Sequence, residues 1–289
     1  MKYLYETHLH TCQVSACALS RGRDYIAAYK AFGYTGIIVT DHFFNGNSRL
    51  PQDLPWKEWV HRFCRGYEEA WEAGKKQALD VFFGWEETFD GDDYLVYGLD
   101  KQWLLEHPEA AHWNRREQYE TVKFYGGCVV QAHPFRQHYY IDTIHLAPTC
   151  VDAVEVANAS NEEASYDALA MKYAQALGLP ITAGTDIHYV EYLQGLEIPF
   201  GVYLNKKMDG IEDYVMAIGE KTLGDLQMSP GRCDFHGNET VRLPVDIRDK
   251  ADLSTGRDLW DLLGCRSIQR KEESRSPRPG EVSQKIYYP

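Results

Sequence analysis

Residues 3–10 read Tyr-Leu-Tyr-Glu-Thr-His-Leu-His, a short run rich in aromatic residues that predicts a first β-strand. His8 and His10 stand at the end of this run, two residues apart. Alternate side chains of a strand point to the same face of the sheet, so both imidazoles are expected on one side. The stretch therefore predicts a strand that ends in a pair of candidate metal ligands.

Further histidine and carboxylate side chains border five later predicted strands. They are Asp41 and His42 after Gly36–Thr40, Glu86 and Glu87 after Val81–Trp85, Asp93 before Tyr94–Tyr97, His133 after Cys128–Gln131, and Asp186 and His188 after Pro180–Ala183. In a parallel barrel the carboxyl ends of the strands form one face, and the loops of that face build the active site. Side chains scattered over about 180 positions are therefore expected to converge at one face.

The rest of the pattern alternates predicted strands with predicted helices, which favours a parallel α/β architecture of six or seven βα units. The predicted helices are Arg23–Phe32, Pro55–Lys76, Gln118–Phe124, a helix reaching Leu177, and Ile211–Ile218. Pro55–Lys76 is predicted as a single helix with Trp56, Trp59, Phe63 and Trp71 on its apolar face. The sequence Ser160-Asn161-Glu162-Glu163 matches a capping box at the start of the helix that reaches Leu177.

Two regions are predicted along the chain. Residues 1–225 form the barrel, and residues 226–289 form a partly irregular C-terminal extension with a polar, Pro-rich segment over Gln269–Ser283.

The charge of the chain restricts its partners. The 289 residues carry 30 basic and 43 acidic side chains, a formal net charge of −13. Such a surface repels the phosphates of extended nucleic acid, whereas a metal site can reverse the potential locally for a small anion. No apolar run approaches the ~18 residues of a membrane span, and no apolar leader is visible. The seven cysteines are odd in number and include no C-x-x-C pair, which favours the cytoplasm.

The donor types indicate which metals fit. Imidazole combined with carboxylate suits Zn, Mn or Fe rather than Ca or Mg alone. If three divalent ions were bound, the three carboxylates of Glu86, Asp93 and Asp186 would leave a local formal charge of about +3. A carboxylate such as Glu86 can also bridge two ions held ~3.5–4 Å apart.

Five short motifs, taken together and in order, resemble those of the PHP (polymerase and histidinol phosphatase) superfamily. The motifs are His8-Leu9-His10-Thr11, Thr40-Asp41-His42, Gly84-Trp85-Glu86, Ala132-His133-Pro134 and Gly184-Thr185-Asp186-Ile187-His188. The similarity covers roughly residues 1–225. It implies a distorted seven-stranded (β/α) barrel with a di- or trinuclear metal centre, in most members a phosphoesterase.

The resemblance also implies a ligand set for two or three divalent ions of Zn, Mn or Fe. One ion would be held by His8, His10, Glu86 and Asp186. A second ion would share Glu86 and add His133, with Asp93 at a position where many members have a histidine. A third ion would use His42 and His188. Some members supply a further histidine shortly after the H-x-H pair, but Cys12–Cys17 contains none.

Several neighbouring residues have open interpretations. Asp41 either orients a ligand imidazole or caps a turn. Glu87 points away from Glu86, towards solvent or into a supporting position. Arg136, just past His133, either clamps a phosphate bidentately or forms a surface ion pair. The same loop contains His138 and His145, each a proton donor or an exposed histidine, and Tyr139 and Tyr140, which either stack on a substrate ring or pack.

The sequence thus predicts a metal-dependent phosphoesterase for a small phosphomonoester or nucleotide. Water activated by the metal centre would attack phosphorus, with Glu86 at the metals and His42, His188 or Asp186 assisting proton transfer. Arg136 would neutralise developing charge on the phosphoryl oxygens. Two alternatives remain: a metal-binding or partner-binding module with little turnover, and a metal hydrolase acting on a C–N or C–O bond. Protein partners are not predicted.

Overall fold

Eleven strands lie in residues 2–237 and 239–247, the part of the chain that the computed structural model describes. They are β1 Tyr3–Glu6, β2 Gly36–Val39, β3 Asp80–Phe89, β4 Asp92–Tyr97, β5 Cys128–Gln131, β6 Ile144–Leu146, β7 Ala153–Asn158, β8 Ile181–Gly184, β9 Gly201–Leu204, β10 Leu226–Gln227 and β11 Val245–Ile247. Nine of them form one sheet in the order β10-β9-β1-β2-β3-β4-β5-β7-β8. Because β10 and β9 also contact β8, the sheet is nearly closed into a barrel.

Helices follow most of the strands. They are α1 Tyr25–Ala31, α2 Trp56–Phe63, α3 Arg65–Gln77, α4 Lys101–Glu106, α5 Arg115–Phe124, α6 Ala164–Leu177, α7 Val190–Gly195 and α8 Ile211–Gly219. Among the described residues, no helix combines the length and the apolar character needed to cross a membrane. The predicted α/β barrel is confirmed, although its main sheet has nine strands rather than seven.

The sheet is not purely parallel, which corrects the prediction of uniform βα units. The β3 strand turns directly into β4, and β4 pairs antiparallel with both β3 and β5. Asp93, predicted just before a strand, is therefore the second residue of the antiparallel strand β4. Its position still serves the site, because Asp93 pairs with Thr88 near the end of β3.

The first strand ends earlier than predicted. Its ladder stops at Glu6, whose buried carboxylate oxygen Oε1 accepts the backbone N–H groups of Thr7 and His8 at 2.9 and 2.8 Å. The same oxygen accepts the N–H of Thr185 at 2.9 Å. A side chain that takes up backbone donors in this way competes with the strand ladder. Residues 7–10 consequently leave the regular strand and cross the end of the barrel.

The predicted helix over Pro55–Lys76 is two helices. The helix is interrupted at the single residue Cys64, between α2 and α3. On α2, Trp59 and Phe63 are fully buried and stack with their ring centroids 4.9 Å apart. Trp71, predicted on the same apolar face, is 39% exposed on α3. The break lets α2 cover an aromatic core with Phe43 while α3 packs along β3.

The predicted capping box at Ser160 is also wrong. Helix α6 begins at Ala164 after Glu163, without a side-chain cap. The Ser160 hydroxyl instead lies 3.0 Å from the carbonyl oxygen of Thr185 and 2.8 Å from that of Asp186. A capping box does occur at α5, where Asn114 and Glu117 satisfy each other's backbone N–H groups.

Part of the predicted C-terminal extension packs on the barrel. The β10 strand pairs with β9, and β11 pairs in parallel with β6. Val241 and Val245 are buried in a cluster that includes Phe135 of the barrel. The division at residue 225 stays a prediction, and the segment Gln269–Ser283 lies outside the described residues.

Candidate metal centre

His8 and His10 lie fully buried at the end of the barrel, and each ring is held through its Nδ1 atom. His8 Nδ1 lies 3.0 Å from Glu155 Oε1, and His10 Nδ1 lies 3.1 Å from Ser15 Oγ. Because the Ser15 hydroxyl donates to Asp41 Oδ1 at 2.7 Å, its oxygen accepts from the His10 ring. Both imidazoles therefore carry a proton on Nδ1, which leaves Nε2 free to act as a ligand atom.

The two Nε2 atoms face each other at 3.1 Å. Both also face carboxylate oxygens, since His8 Nε2 is 3.0 Å from Glu86 Oε1 and His10 Nε2 is 3.1 Å from Asp186 Oδ1. Atoms that all carry lone pairs come this close only around a proton or a cation. The arrangement therefore fits a bound positive charge between them.

Glu86 lies at the centre of this cluster. Its side chain is 1% exposed, yet neither oxygen has a hydrogen-bond donor of suitable geometry among the described residues. Instead the two oxygens face the ring nitrogens of four histidines, His8, His10, His42 and His133, at 2.8 to 3.5 Å. A buried carboxylate without hydrogen bonds is costly unless a cation compensates it.

Two of the candidate ligands have unusual backbone conformations. His133 and Asp186 have positive φ angles of 28° and 52°. Non-glycine residues avoid this region, and such strain is concentrated at functional sites. The neighbouring Gly184 allows close packing here, because a Cβ atom on it would lie 2.5 Å from the Cβ of His8. The chain is thus shaped to direct these side chains into the cluster.

All eight predicted ligands come together. Four overlapping groups each have their potential ligand atoms within 4.8 Å of one another: His8, His133 and Asp186; His8, His10 and Glu86; His42, Glu86 and Asp93; and His10, His42 and His188. The last group stacks its rings, with centroid distances of 4.4 Å for His10–His42 and 4.8 Å for His10–His188. Proximity alone does not make these residues ligands, and their assignment to particular ions stays a prediction.

The charges within the cluster are strongly coupled. Burial disfavours the charged forms of Glu86 and Asp186, but the neighbouring positive groups, His8 foremost, together outweigh it and hold the pKa of both carboxyls well below the ordinary value. Burial likewise opposes protonation of His8, while the charges of Glu155, Asp186 and Glu86 raise its pKa well above the usual range. Asp93 differs, since burial and the charge of Glu86 raise its pKa to about 6. Glu86 and Asp186 are thus held as anions by nearby positive charge, that of His8 above all, and metal ions can replace this charge.

Arg136 lies beside this cluster, with its side chain 13% exposed, and does not form a surface ion pair. Its Nη2 atom donates to Asp186 Oδ2 at 2.6 Å and to Asn158 Oδ1 at 2.9 Å, and its Nε donates to Asn161 Oδ1 at 2.8 Å. A guanidinium has five N–H donors, so these contacts leave the two hydrogens of Nη1 for other acceptors. One such neighbour is Tyr140, whose hydroxyl also contacts Arg136.

A cavity of about 720 Å³ opens above the candidate ligands. Arg136, Tyr139, Tyr140 and Tyr189 form part of its wall, together with the ligand candidates His42 and Asp93. Tyr139 and Tyr140 are 91% and 56% exposed, so neither packs in the core. His145 is not an exposed loop residue: it lies on β6, buried, with Nδ1 2.5 Å from Asp92 Oδ2.

Sequence reasoning missed two supporting residues, Glu155 and Ser15. Glu155 holds His8 through Oε1, and its Oε2 accepts the backbone N–H of His133 at 3.2 Å. Glu155 is the one acidic residue of β7, but its local sequence does not show that it faces His8. Ser15 stands between Asp41 and His10, so Asp41 supports an imidazole through a serine rather than by direct contact.

Glu87 does not face solvent, which corrects one of its two predicted positions. It is 2% exposed, and its Oε1 accepts the backbone N–H groups of Asn45 and Thr88 at 3.2 and 3.0 Å. Burial raises the pKa of Glu87 from its ordinary value of 4.5 to about 8. Glu87 is therefore a protonated, structural residue at neutral pH.

Replacing Glu87 with glutamine is expected to change how stability depends on pH. Between about pH 4.5 and about pH 8 the folded state holds a proton on Glu87 that the unfolded state releases, so the free energy of unfolding falls as the pH rises. Glutamine keeps the acceptor oxygen and lacks this proton. The stability of Glu87→Gln relative to wild type should increase with pH, by up to about 1.4 kcal/mol per unit.

Urea unfolding at several pH values across this range measures the effect. Glu109→Gln is the matched control, because Glu109 is exposed. A difference between Glu87→Gln and wild type that stays constant with pH would show that Glu87 is already ionised in the folded protein.

Comparison with known proteins agrees with the fold. No protein-family model and no curated protein matches the sequence. One similar solved structure is a two-domain protein from Bacteroides vulgatus that contains a predicted PHP-like metal-dependent phosphoesterase. Its TM-score is 0.57 at 17% identity, and the match covers 77% of this chain but only 64% of that protein.

Two further solved structures are less similar. PsfC from Pseudomonas syringae has a TM-score of 0.46 at 13% identity, covering 80% of this chain and 93% of its own. An amidohydrolase from Chromobacterium violaceum has a TM-score of 0.44 at 13% identity, covering 74% of this chain and 96% of its own. The barrel described above, with its histidine and carboxylate cluster at one end, has the fold of the PHP-like metal-dependent phosphoesterases.

Proposed function

We propose that this protein is a metal-dependent phosphoesterase that hydrolyses a small phosphomonoester or nucleotide. The observation that carries the proposal is the contact between Arg136 and Asp186 at the edge of the buried cluster. Asp186 would bind a metal ion, and the Arg136 guanidinium keeps the N–H donors of Nη1 for a ligand at the same cavity. Such a site suits a dianionic group better than a neutral one.

The donor set fits divalent ions. His8 and His10 are held through Nδ1 and direct their Nε2 atoms into the cluster, and the oxygens of Glu86 have no hydrogen-bond partner of suitable geometry among the described residues. His8, His10, Glu86 and Asp186 would hold one ion, His133 and Asp93 would join Glu86 at a second, and His42 and His188 would serve a third. When bound, such ions lower the pKa of water and neutralise phosphoryl oxygens.

The chain's own residues supply the rest of the chemistry. Glu155 and Ser15 fix the orientation of His8 and His10, which keeps the site rigid before a substrate arrives. Arg136 binds a phosphoryl oxygen through Nη1 while its other donors keep the guanidinium in place. Where no third ion engages His188, which is 24% exposed at the cavity, its imidazole is accessible to move a proton to the leaving oxygen.

The substrate size follows from the cavity. About 720 Å³ accommodates a molecule of nucleotide size, and the exposed Tyr139 and Tyr140 offer ring faces for stacking. The net charge of −13 disfavours a long polynucleotide.

Phosphate release from a panel of phosphomonoesters and nucleotides tests the proposal. The protein is reconstituted with Mn²⁺, and Asp186→Ala, which removes a ligand carboxylate, should abolish release. If the loaded protein hydrolyses amide or carboxylic ester substrates instead, the scissile bond has been assigned wrongly. If it turns over no substrate while holding its metals, the site only binds.

A further inference from the structure

Cys17 lies in the wall of the cavity next to two of the candidate ligands. Its thiol lies beside the imidazoles of His188 and His42, and although burial raises the pKa of the thiol, both rings lower it. All three side chains line the same cavity. The sulfur atom of Cys17 therefore lies beside His42 and His188. The segment Cys12–Cys17 contains no histidine that could join this pair as a third ligand.

The loop around Cys17 is held firmly on both sides. The backbone N–H of Ala16 donates to the carbonyl of Asn47 at 2.8 Å, and that of Leu19 donates to the carbonyl of His188 at 2.7 Å. The Arg49 guanidinium donates to three carbonyls of the loop, those of Ser15, Ala16 and Ala18, at 3.1 to 3.4 Å. The position of the thiol is therefore built into the fold.

A second observation is that a buried carboxylate in this part of the cluster has no hydrogen-bond donor of suitable geometry in the described part of the chain. His42 Nδ1 lies 2.8 Å from Glu86 Oε2, and Glu86 is 1% exposed with no hydrogen-bond donor of suitable geometry among the described residues. His10, fully buried, stacks on both His42 and His188. Several ligand atoms thus converge on the region that Cys17 borders.

We propose that Cys17 binds, as a thiolate, the metal ion held by His42 and His188. This inference rests on the metal centre of the proposed function. Binding breaks the S–H bond, forms a metal–sulfur bond and releases one proton to solvent. A donor set of two imidazoles and one thiolate favours Zn²⁺, Fe²⁺ or Co²⁺ over Mn²⁺ or Mg²⁺ at this position.

Cobalt spectroscopy of the full chain tests the inference without using turnover. Co²⁺-loaded wild type should show a thiolate-to-cobalt charge-transfer band in the near ultraviolet. Cys17→Ser should lack the band and Cys12→Ser, on the same loop but outside the cavity wall, should retain it. Cys17→His should bind as much cobalt as wild type without the band. An equal band in Cys17→Ser would overturn the inference.

Alkylation of the wild-type protein provides a measurement that needs no variant. Only the free thiolate reacts with iodoacetamide, so Zn²⁺ loading should slow labelling of Cys17, followed by mass spectrometry, at least about tenfold. Equal labelling with and without Zn²⁺ would contradict the inference. A charge-transfer band without hydrolysis of any phosphate ester would retain the Cys17 ligand and reject the phosphoesterase. Hydrolysis that needs Asp186, with no band, would do the reverse.

Discussion

Replacing Glu86 with glutamine is expected to remove at least one metal ion and to lower phosphate release roughly 10³-fold, about 4 kcal/mol of transition-state stabilisation. The reason is the position of Glu86, whose two oxygens together face ring nitrogens of four histidines at 2.8 to 3.5 Å. Glutamine has nearly the same shape but no charge, and its amide nitrogen is not a ligand. This one substitution therefore weakens the binding of every ion that shares the Glu86 carboxylate.

Metal content by elemental analysis and phosphate release by a colorimetric assay measure the two effects separately. Glu87→Gln is the matched control, since Glu87 is the next residue on β3 and is also buried. It should keep both metal and turnover. If Glu86→Gln retained its full metal content and activity, Glu86 would not be a bridging ligand, and its lack of hydrogen bonds would need another explanation.

The candidate ligands could be found from sequence because each lies next to a predicted strand. His8 and His10 share a face, and Asp186 and His188 repeat the same two-residue spacing. Such positions depend only on strand periodicity and on the geometry of a barrel face. This signal tolerated an error in topology, because Asp93 reaches the cluster from the start of an antiparallel strand.

The supporting residues could not be found in the same way, because their roles depend on contacts between distant parts of the chain. Glu155 approaches His8 across 147 positions, and nothing local distinguishes it from a strand residue at the surface. Ser160 shows the opposite error. Its local pattern matches a helix cap, but in the folded protein its hydroxyl lies within hydrogen-bond distance of the carbonyl oxygens of Thr185 and Asp186. Asn114 carries the same kind of pattern and does cap a helix. Local patterns of this kind cannot show which hydrogen-bond partner a polar side chain will meet in the folded chain.

Arg136→Lys is expected to lower kcat/KM for a phosphomonoester about 10²-fold while leaving the metal content unchanged. Lysine keeps the positive charge beside Asp186 but cannot hold three fixed contacts and still present further N–H groups, as Nη1 does, to the phosphoryl oxygens. In the structure those fixed contacts are made by Nε and Nη2 to Asn161, Asn158 and Asp186. The loss should therefore come from poorer positioning of the substrate and not from loss of charge.

Parallel measurements of metal content and kinetics separate this role from one exerted through Asp186. If Arg136 acts on substrate, Asn161→Ala, which removes one of its anchors, should reduce kcat/KM by a smaller factor with the metals still bound. Arg136→Lys should also weaken inhibition by inorganic phosphate, by a factor similar to the loss in kcat/KM. If metal content falls together with turnover, the guanidinium serves mainly to orient the Asp186 carboxylate. That result would remove Arg136 from the substrate-binding residues, because its contact at 2.6 Å would then account for the whole effect.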